Sequence, residues 1–153
     1  HRRRRVLYSG AVMDWDRIIA DIKADEGWRA HAYQDHRGFW TIGYGFLIDE
    51  RKGGHLPRVV ADFWLQHILD ERVSMLRNAF PSWGEYPEGV KRALVNMSFQ
   101  LGVAGLLGFH DMIQALNCGD YQKAAAEALD SKWASEKQTP ERARRVAEWI
   151  RTA

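Results

Sequence analysis

Glu26, Asp35 and Thr41 follow one another at intervals of nine and then six residues. Glu26 falls at the C-terminal end of a predicted helix, where unpaired carbonyls concentrate negative partial charge. That field disfavours an ionised carboxylate and pushes its pKa upward, as suits a group that must give up a proton near neutral pH. Asp35 begins the turn Asp35-His36-Arg37-Gly38, where a carboxylate stays hydrated and ionised. Thr41 lies on the returning strand, where its hydroxyl can hold a water beside Asp35. Two carboxyl groups whose surroundings drive their pKa values apart are the equipment for splitting a glycosidic bond. A Glu at a helix end and an Asp in a turn are each commonplace on surfaces, so the spacing alone leaves plain surface residues as an alternative. The surrounding aromatic and glycine residues (Tyr33, Phe39, Tyr44, Gly43, Gly45) add weight, because such side chains line sugar grooves well.

The elements that must position these residues are readable in outline. Trp15, Ile18, Ile19 and Ile22 recur at helical spacing behind Asp14 as N-cap, and Gly27 suits the left-handed position just past the helix end. Ala32-Tyr33 and Phe39 to Tyr44 predict a β-hairpin around a type I turn with Asp first and Gly fourth. Gly43, Gly45, Gly53 and Gly54 then keep the chain bending up to Pro57. From Pro57 to about Asn78, apolar residues from Val60 to Leu76 cover more than one helical face. So wide an arc predicts a helix buried on two sides, or one joining two lobes. Pro81 to Pro87 breaks it. Val90, Leu94, Val95, Met97, Phe99 and Leu101 predict a nearly all-round apolar helix at the centre of the larger core, followed by a glycine-punctuated stretch to Leu116. Asp120 caps a helix carrying Ala124, Ala125 and Ala128. Thr139-Pro140-Glu141 reads as cap, first helical position and first-turn acid of the last helix, with Val146, Trp149 and Ile150 facing inward. The outline is a lopsided α+β domain over 13–153 behind a basic tail at 1–12. A small lobe spans about 26–56 and a helical lobe about 57–153 plus the helix at 14–25, with a cleft expected between them.

Composition narrows the function classes. A chain of 153 residues with 46% apolar and 27% charged residues reads as one globular domain. No apolar run reaches the roughly 18 to 20 residues needed to cross a bilayer, so no stable membrane insertion is expected. Val6 to Val12 is too short for a signal-peptide core. Cys118, the single cysteine, cannot form an internal disulfide, which favours a reducing compartment, and its thiol has no activating neighbour in sequence. A net charge of +2 argues against a nucleic-acid partner. The bases gather at the ends: Arg2, Arg3, Arg4 and Arg5, then Arg142, Arg144, Arg145 and Arg151. The first run reads as a solvated tail or, alternatively, as one drawn to an anionic envelope surface such as lipopolysaccharide. His31 and His36 flank Asp35 without a third ligand at a recognisable spacing, so no metal site is expected. No cofactor is expected either, and a monomer is the default.

Asp25-Glu26-Gly27, Tyr33-x-Asp35-x-x-Gly38 and Thr41-Ile42-Gly43-Tyr44-Gly45 together resemble the catalytic signature of the T-even phage lysozyme (endolysin) family, glycoside hydrolase family 24. The resemblance resumes in Arg92 to Gly102, Gly108-Phe109, Ser131-Lys132-Trp133 and Gln138-Thr139-Pro140-x-Arg142-Ala143-x-Arg145-Val146, so it runs from about Trp15 to Thr152. It implies a lysozyme-like fold and a muramidase that cleaves the β-1,4 bond between N-acetylmuramic acid and N-acetylglucosamine in bacterial peptidoglycan. By the same resemblance Glu26 is the general acid, Asp35 the base or electrostatic partner, and Thr41 the residue that positions water. Family members invert the anomeric carbon, a course that needs carboxyls roughly 6.5 to 9.5 Å apart. Arg142 matches an arginine that pairs with the catalytic Glu across the cleft. Such a cation opposes the helix-end effect on Glu26, so the sign of the net shift stays open.

Gln100 matches a glutamine that contacts the sugar, and Gly45, Phe99 and Trp133 stand at neighbouring substrate positions. For Trp133, packing within the helical lobe outweighs sugar stacking; for Asn96, core and hydrogen-bonding roles are balanced. The resemblance further implies an enzyme held in the host cytoplasm until a holin or the loss of a signal-anchor gives it the periplasmic wall, with host lysis as the result. The chain also departs from the pattern. Phe46 stands where those lysozymes have a His with an acidic partner, and the stretch between Thr41 and Val90 is markedly shorter. A small insertion lies between Trp133 and Thr139. Two rivals remain open: an inactive wall-binding module of the same fold, and a small basic helical protein whose binding to nucleic acid or acidic lipid would depend steeply on salt.

Overall fold

The computed structural model describes residues 14–49, 55–135 and 138–153. Arg2 to Arg5, Gly53 and Gly54 lie outside the described residues. The described residues fall into two compact units, divided between Val60 and Ala61.

In the first unit α1 spans Trp15–Glu26, with the Asp14 carboxylate accepting from the Arg17 amide at 3.2 Å. The helix stops because Gly27 takes φ +69°, which an L side chain rarely adopts, while its N–H still donates to Lys23 O. Three antiparallel strands follow in the order β1-β2-β3: Arg29–Gln34, Trp40–Gly43 and Phe46–Asp49. Tyr33 and Leu47 both oppose Thr41, so Thr41 sits on the central strand. The expected hairpin is therefore the first half of a three-stranded sheet. Gly43 and Gly45, read in sequence as loose bends, take φ +71° and +72°. They turn the chain sharply enough for the β-forming run Phe46-Leu47-Ile48 to pair with β2.

The boundary between the units falls inside α2, Arg58–Ala79. Burial on two sides, one of the two readings of its wide apolar arc, is not observed. Leu76 is its buried residue among those described, whereas Phe63 is 76% exposed and Val59, Val60, Trp64 and Leu65 are exposed too.

In the second unit a short 3-10 turn at Trp83–Glu85 leads into α3, Glu88–Leu107, whose Val90, Ala93, Leu94 and Met97 are buried. α3 is broken at Gly102 (φ +74°, ψ +164°), which lies outside helical space. The glycine-rich stretch beyond the break resolves into the end of α3 and a separate α4, His110–Asn117. α5, Tyr121–Leu129, packs against α4 and against α6, Pro140–Arg151. Its Ala124, Ala125 and Ala128 are buried, and side chains so small let the helices approach closely. α6 buries Ala143, Val146, Ala147 and Ile150, one helical stripe, while the Arg92 guanidinium lies 3.7 Å over the half-buried Trp149 ring. The Asp120 carboxylate accepts from the Lys123 amide at 3.0 Å. Asp120→Ala should therefore lower stability by about 1 kcal/mol, read as a fall in Tm of about 2–4 °C.

Thr139 corrects one expectation. It stands at the N-terminus of α6, but its hydroxyl makes no capping bond. The hydroxyl instead donates to Trp133 O at 3.1 Å and accepts from Gln100 Nε2 at 3.4 Å. Among the described residues no single helix is long and apolar enough to cross a membrane.

Candidate active site

Asp35 is held by its own turn. Gly38 N–H donates to Asp35 O at 2.9 Å, closing the four-residue turn, and Gly38 takes φ +83°. The side chain adds a second closure: Asp35 Oδ1 accepts from the amides of Phe39 at 2.9 Å and Arg37 at 2.8 Å. The Phe39 amide is the largest influence holding the carboxyl below the ordinary aspartate value of 3.8. Partial desolvation opposes it, and the Arg37 amide and the charges of His36 and Arg37 add to the lowering. Asp35 is thus half-buried yet ionised, with the second carboxylate oxygen free of protein hydrogen bonds among the described residues.

With the folded pKa depressed, the ionised turn adds stability above the ordinary aspartate value and loses that contribution as pH falls through the folded value. A carboxyl-detected NMR titration of Asp35 should find its midpoint below 3.8.

Thr41 is 4% exposed, and its hydroxyl donates to Phe39 O at 3.2 Å. With its proton committed there, the oxygen meets any further partner as an acceptor. Glu26 ends α1 as an exposed residue. Gly45 backs directly onto it: a Cβ at Gly45 would stand 2.6 Å from Glu26 Oε2. Glu26, Asp35, Thr41 and Gly45 all line one pocket of about 600 Å³ in the first unit. Arg29 lines it as well, its guanidinium 4.3 Å over the Tyr33 ring. Residue types alone start this strand at Ala32, three residues too late, and so miss Arg29.

The other residues singled out in sequence belong to the second unit. Gln100 Oε1 accepts from Trp133 Nε1 at 2.8 Å, Gln100 Nε2 donates to Thr139 Oγ1 at 3.4 Å, and Thr139 Oγ1 donates to Trp133 O at 3.1 Å. Trp133 is only 3% exposed and meets Phe109 edge-on at 6.2 Å. Phe99, a neighbour of Gln100, is 45% exposed. The half-buried Arg142 donates from Nε to Asn96 Oδ1 at 2.8 Å and from Nη2 to Asn96 O at 3.0 Å, so Asn96 orients the guanidinium. A second pocket of about 390 Å³ is lined by Phe109, Trp133, Glu127, Asp130 and Lys132 among others. Among the described residues no group of three or more His, Cys, Asp or Glu is placed to hold a metal ion.

The pre-baseplate central spike protein Gp5 of Enterobacteria phage T4 is 30% identical across 86% of this chain. The chain spans only 27% of that protein's length. Probable T4-type lysozyme 1 of Dictyostelium discoideum is 27% identical over 86% of this chain and 91% of its own length. The endolysin of Acyrthosiphon pisum secondary endosymbiont phage 1 is 28% identical over 76% of each. The model of the family described as phage lysozyme matches residues 23–148, a span that contains both the pocket at Glu26 and the bonds around Gln100. On that match the chain belongs to the phage lysozyme family, and its α+β fold is lysozyme-like.

Proposed function

We propose that the chain is a muramidase that hydrolyses the β-1,4 bond between N-acetylmuramic acid and N-acetylglucosamine in peptidoglycan. The observation that carries this reading is that Glu26, Asp35 and Thr41 line one pocket, where two backbone amides accepted by Asp35 Oδ1 hold its carboxyl below the ordinary aspartate value. In this mechanism Glu26 gives its proton to the glycosidic oxygen as the bond to the anomeric carbon breaks. A water attacks that carbon from the opposite face, donating one hydrogen to Thr41 Oγ1 and passing the other to the free oxygen of Asp35. Displacement in one step inverts the anomeric centre. In the second unit Gln100 is assigned to sugar recognition, and Asn96 orients the Arg142 guanidinium. Peptidoglycan is the partner, and host lysis the outcome once the enzyme reaches the wall.

The likeness to a segment of a phage spike protein favours a second setting for the same chemistry, as a wall-cutting module carried on a larger particle protein. Finding the chain in purified particles, rather than only in the lysate, would select that setting.

The test uses outer-membrane-stripped Gram-negative cell walls, following turbidity and new reducing ends together. Clearing with reducing ends is the expected result. Clearing without them would assign an amidase or peptidase and overturn the mechanism; binding without clearing would make the chain an inactive wall-binding module.

A further inference from the structure

The three bonds among Gln100, Trp133 and Thr139 form a closed ring whose direction is dictated at both ends by Trp133. The indole N–H can only donate and the backbone carbonyl can only accept. Gln100 must therefore turn Oε1 toward the indole, at 2.8 Å, and Nε2 toward Thr139 Oγ1, at 3.4 Å. The Thr139 proton goes to Trp133 O at 3.1 Å, so its hydroxyl can meet Gln100 only as an acceptor. The Thr139 amide also donates to Trp133 O, which pins this residue at both its backbone and its side chain. The hydroxyl is left out of helix capping altogether.

Hydrogen-bond accounting shows what the ring leaves over. A primary amide has two N–H donors and two lone pairs on its oxygen. The ring uses one of each, and Gln100 is exposed. One N–H and one lone pair thus face solvent in a fixed order, while the ring itself rests on the buried Trp133. A side chain as long as Gln loses much rotamer freedom when a ligand orders it, and a ring formed beforehand removes that cost from binding.

We infer that Thr139 is a positioning residue for ligand recognition: by closing the ring it holds the Gln100 amide in one orientation, presenting a defined donor and a defined acceptor to the polar groups of an amino sugar. This rests on the reading of Gln100 as a sugar contact. Thr139→Val keeps the shape and removes the hydroxyl, whereas Thr139→Ser keeps the hydroxyl.

The first readout is NMR of the free protein, which is independent of that reading. Thr139→Val should move the Gln100 side-chain amide resonances and speed solvent exchange of the Trp133 indole proton, while Thr139→Ser leaves both near wild type. The second readout is kinetics on purified peptidoglycan. Thr139→Val should raise KM about fivefold with kcat nearly unchanged, the scale of one neutral hydrogen bond, and Thr139→Ser should restore it. Thermal unfolding of each variant separates these effects from misfolding. Unchanged Gln100 and Trp133 signals in Thr139→Val would overturn the positioning role. Moved signals with an unchanged KM would overturn the assignment of Gln100 to the sugar, leaving the ring purely structural.

Discussion

Glu26→Gln is expected to cut the release of reducing ends from peptidoglycan by about a thousandfold, within the range spanned by positioned acid–base groups. The substitution preserves size and hydrogen-bonding capacity but removes the transferable proton. Glu26 is exposed at the end of α1, and the cap that ends the helix is the backbone N–H of Gly27 on Lys23 O, so the fold does not depend on the carboxylate. Circular dichroism and Tm should match wild type, and wall binding should survive. The measurement is a paired assay of turnover and sedimentation with walls. Turnover near the wild-type rate would take the role of acid away from Glu26. Should the fold be lost as well, Glu26→Asp, which keeps the acid but retracts it, provides the comparison.

Gly45→Ala carries the second large effect, about a hundredfold in turnover, because a displacement near 1 Å in a reacting group costs on that order. The added methyl would arrive 2.6 Å from Glu26 Oε2 and 3.2 Å from its Cδ. The atom that must give way is the far end of a flexible side chain, so folding tolerates the move. The same move takes the carboxyl away from its place in the pocket. Alanine at φ +72° adds backbone strain of about 1–2 kcal/mol, and that strain needs its own control. Gly119 supplies one, with φ +73° and nothing within 4 Å of the place a Cβ would take. Gly119→Ala should lower Tm by a similar amount and leave turnover intact. Equal losses of turnover in the two variants would mean that strain, and not the seat of Glu26, is responsible.

Much of the local structure was legible in sequence because its causes are local. Asp14 and Asp120 cap the helices that follow them through bonds to amides three residues on, and Gly27 ends α1 for want of a Cβ. The turn at Asp35 to Gly38 closes within four residues. The α6 stripe from Ala143 to Ile150 shows as plain helical periodicity. The intervals between Glu26, Asp35 and Thr41 also stand in the sequence, and with them the resemblance to a family.

Other features depend on what folds back from elsewhere. β3 escaped notice because two glycines that read as flexible punctuation instead take the positive φ values of a tight turn, and only pairing with β2 makes a strand of Phe46 to Asp49. The wide apolar arc of α2 fits burial on two sides equally well, since periodicity records which faces are apolar and not what covers them. Thr139 carries every local mark of a helix cap, yet its hydroxyl is taken by Trp133 O, an acceptor supplied by the preceding loop. That Asp35 would be half-buried was likewise undetermined by residue type, and so were the two amides aimed at one oxygen that hold its carboxyl below the ordinary aspartate value. Residue types and spacing therefore determined which groups could act and where helices and turns begin. Tertiary structure alone decided which polar atoms are already spent on one another and which remain free for a ligand, because hydrogen-bond capacity is finite and partners distant in sequence compete for it.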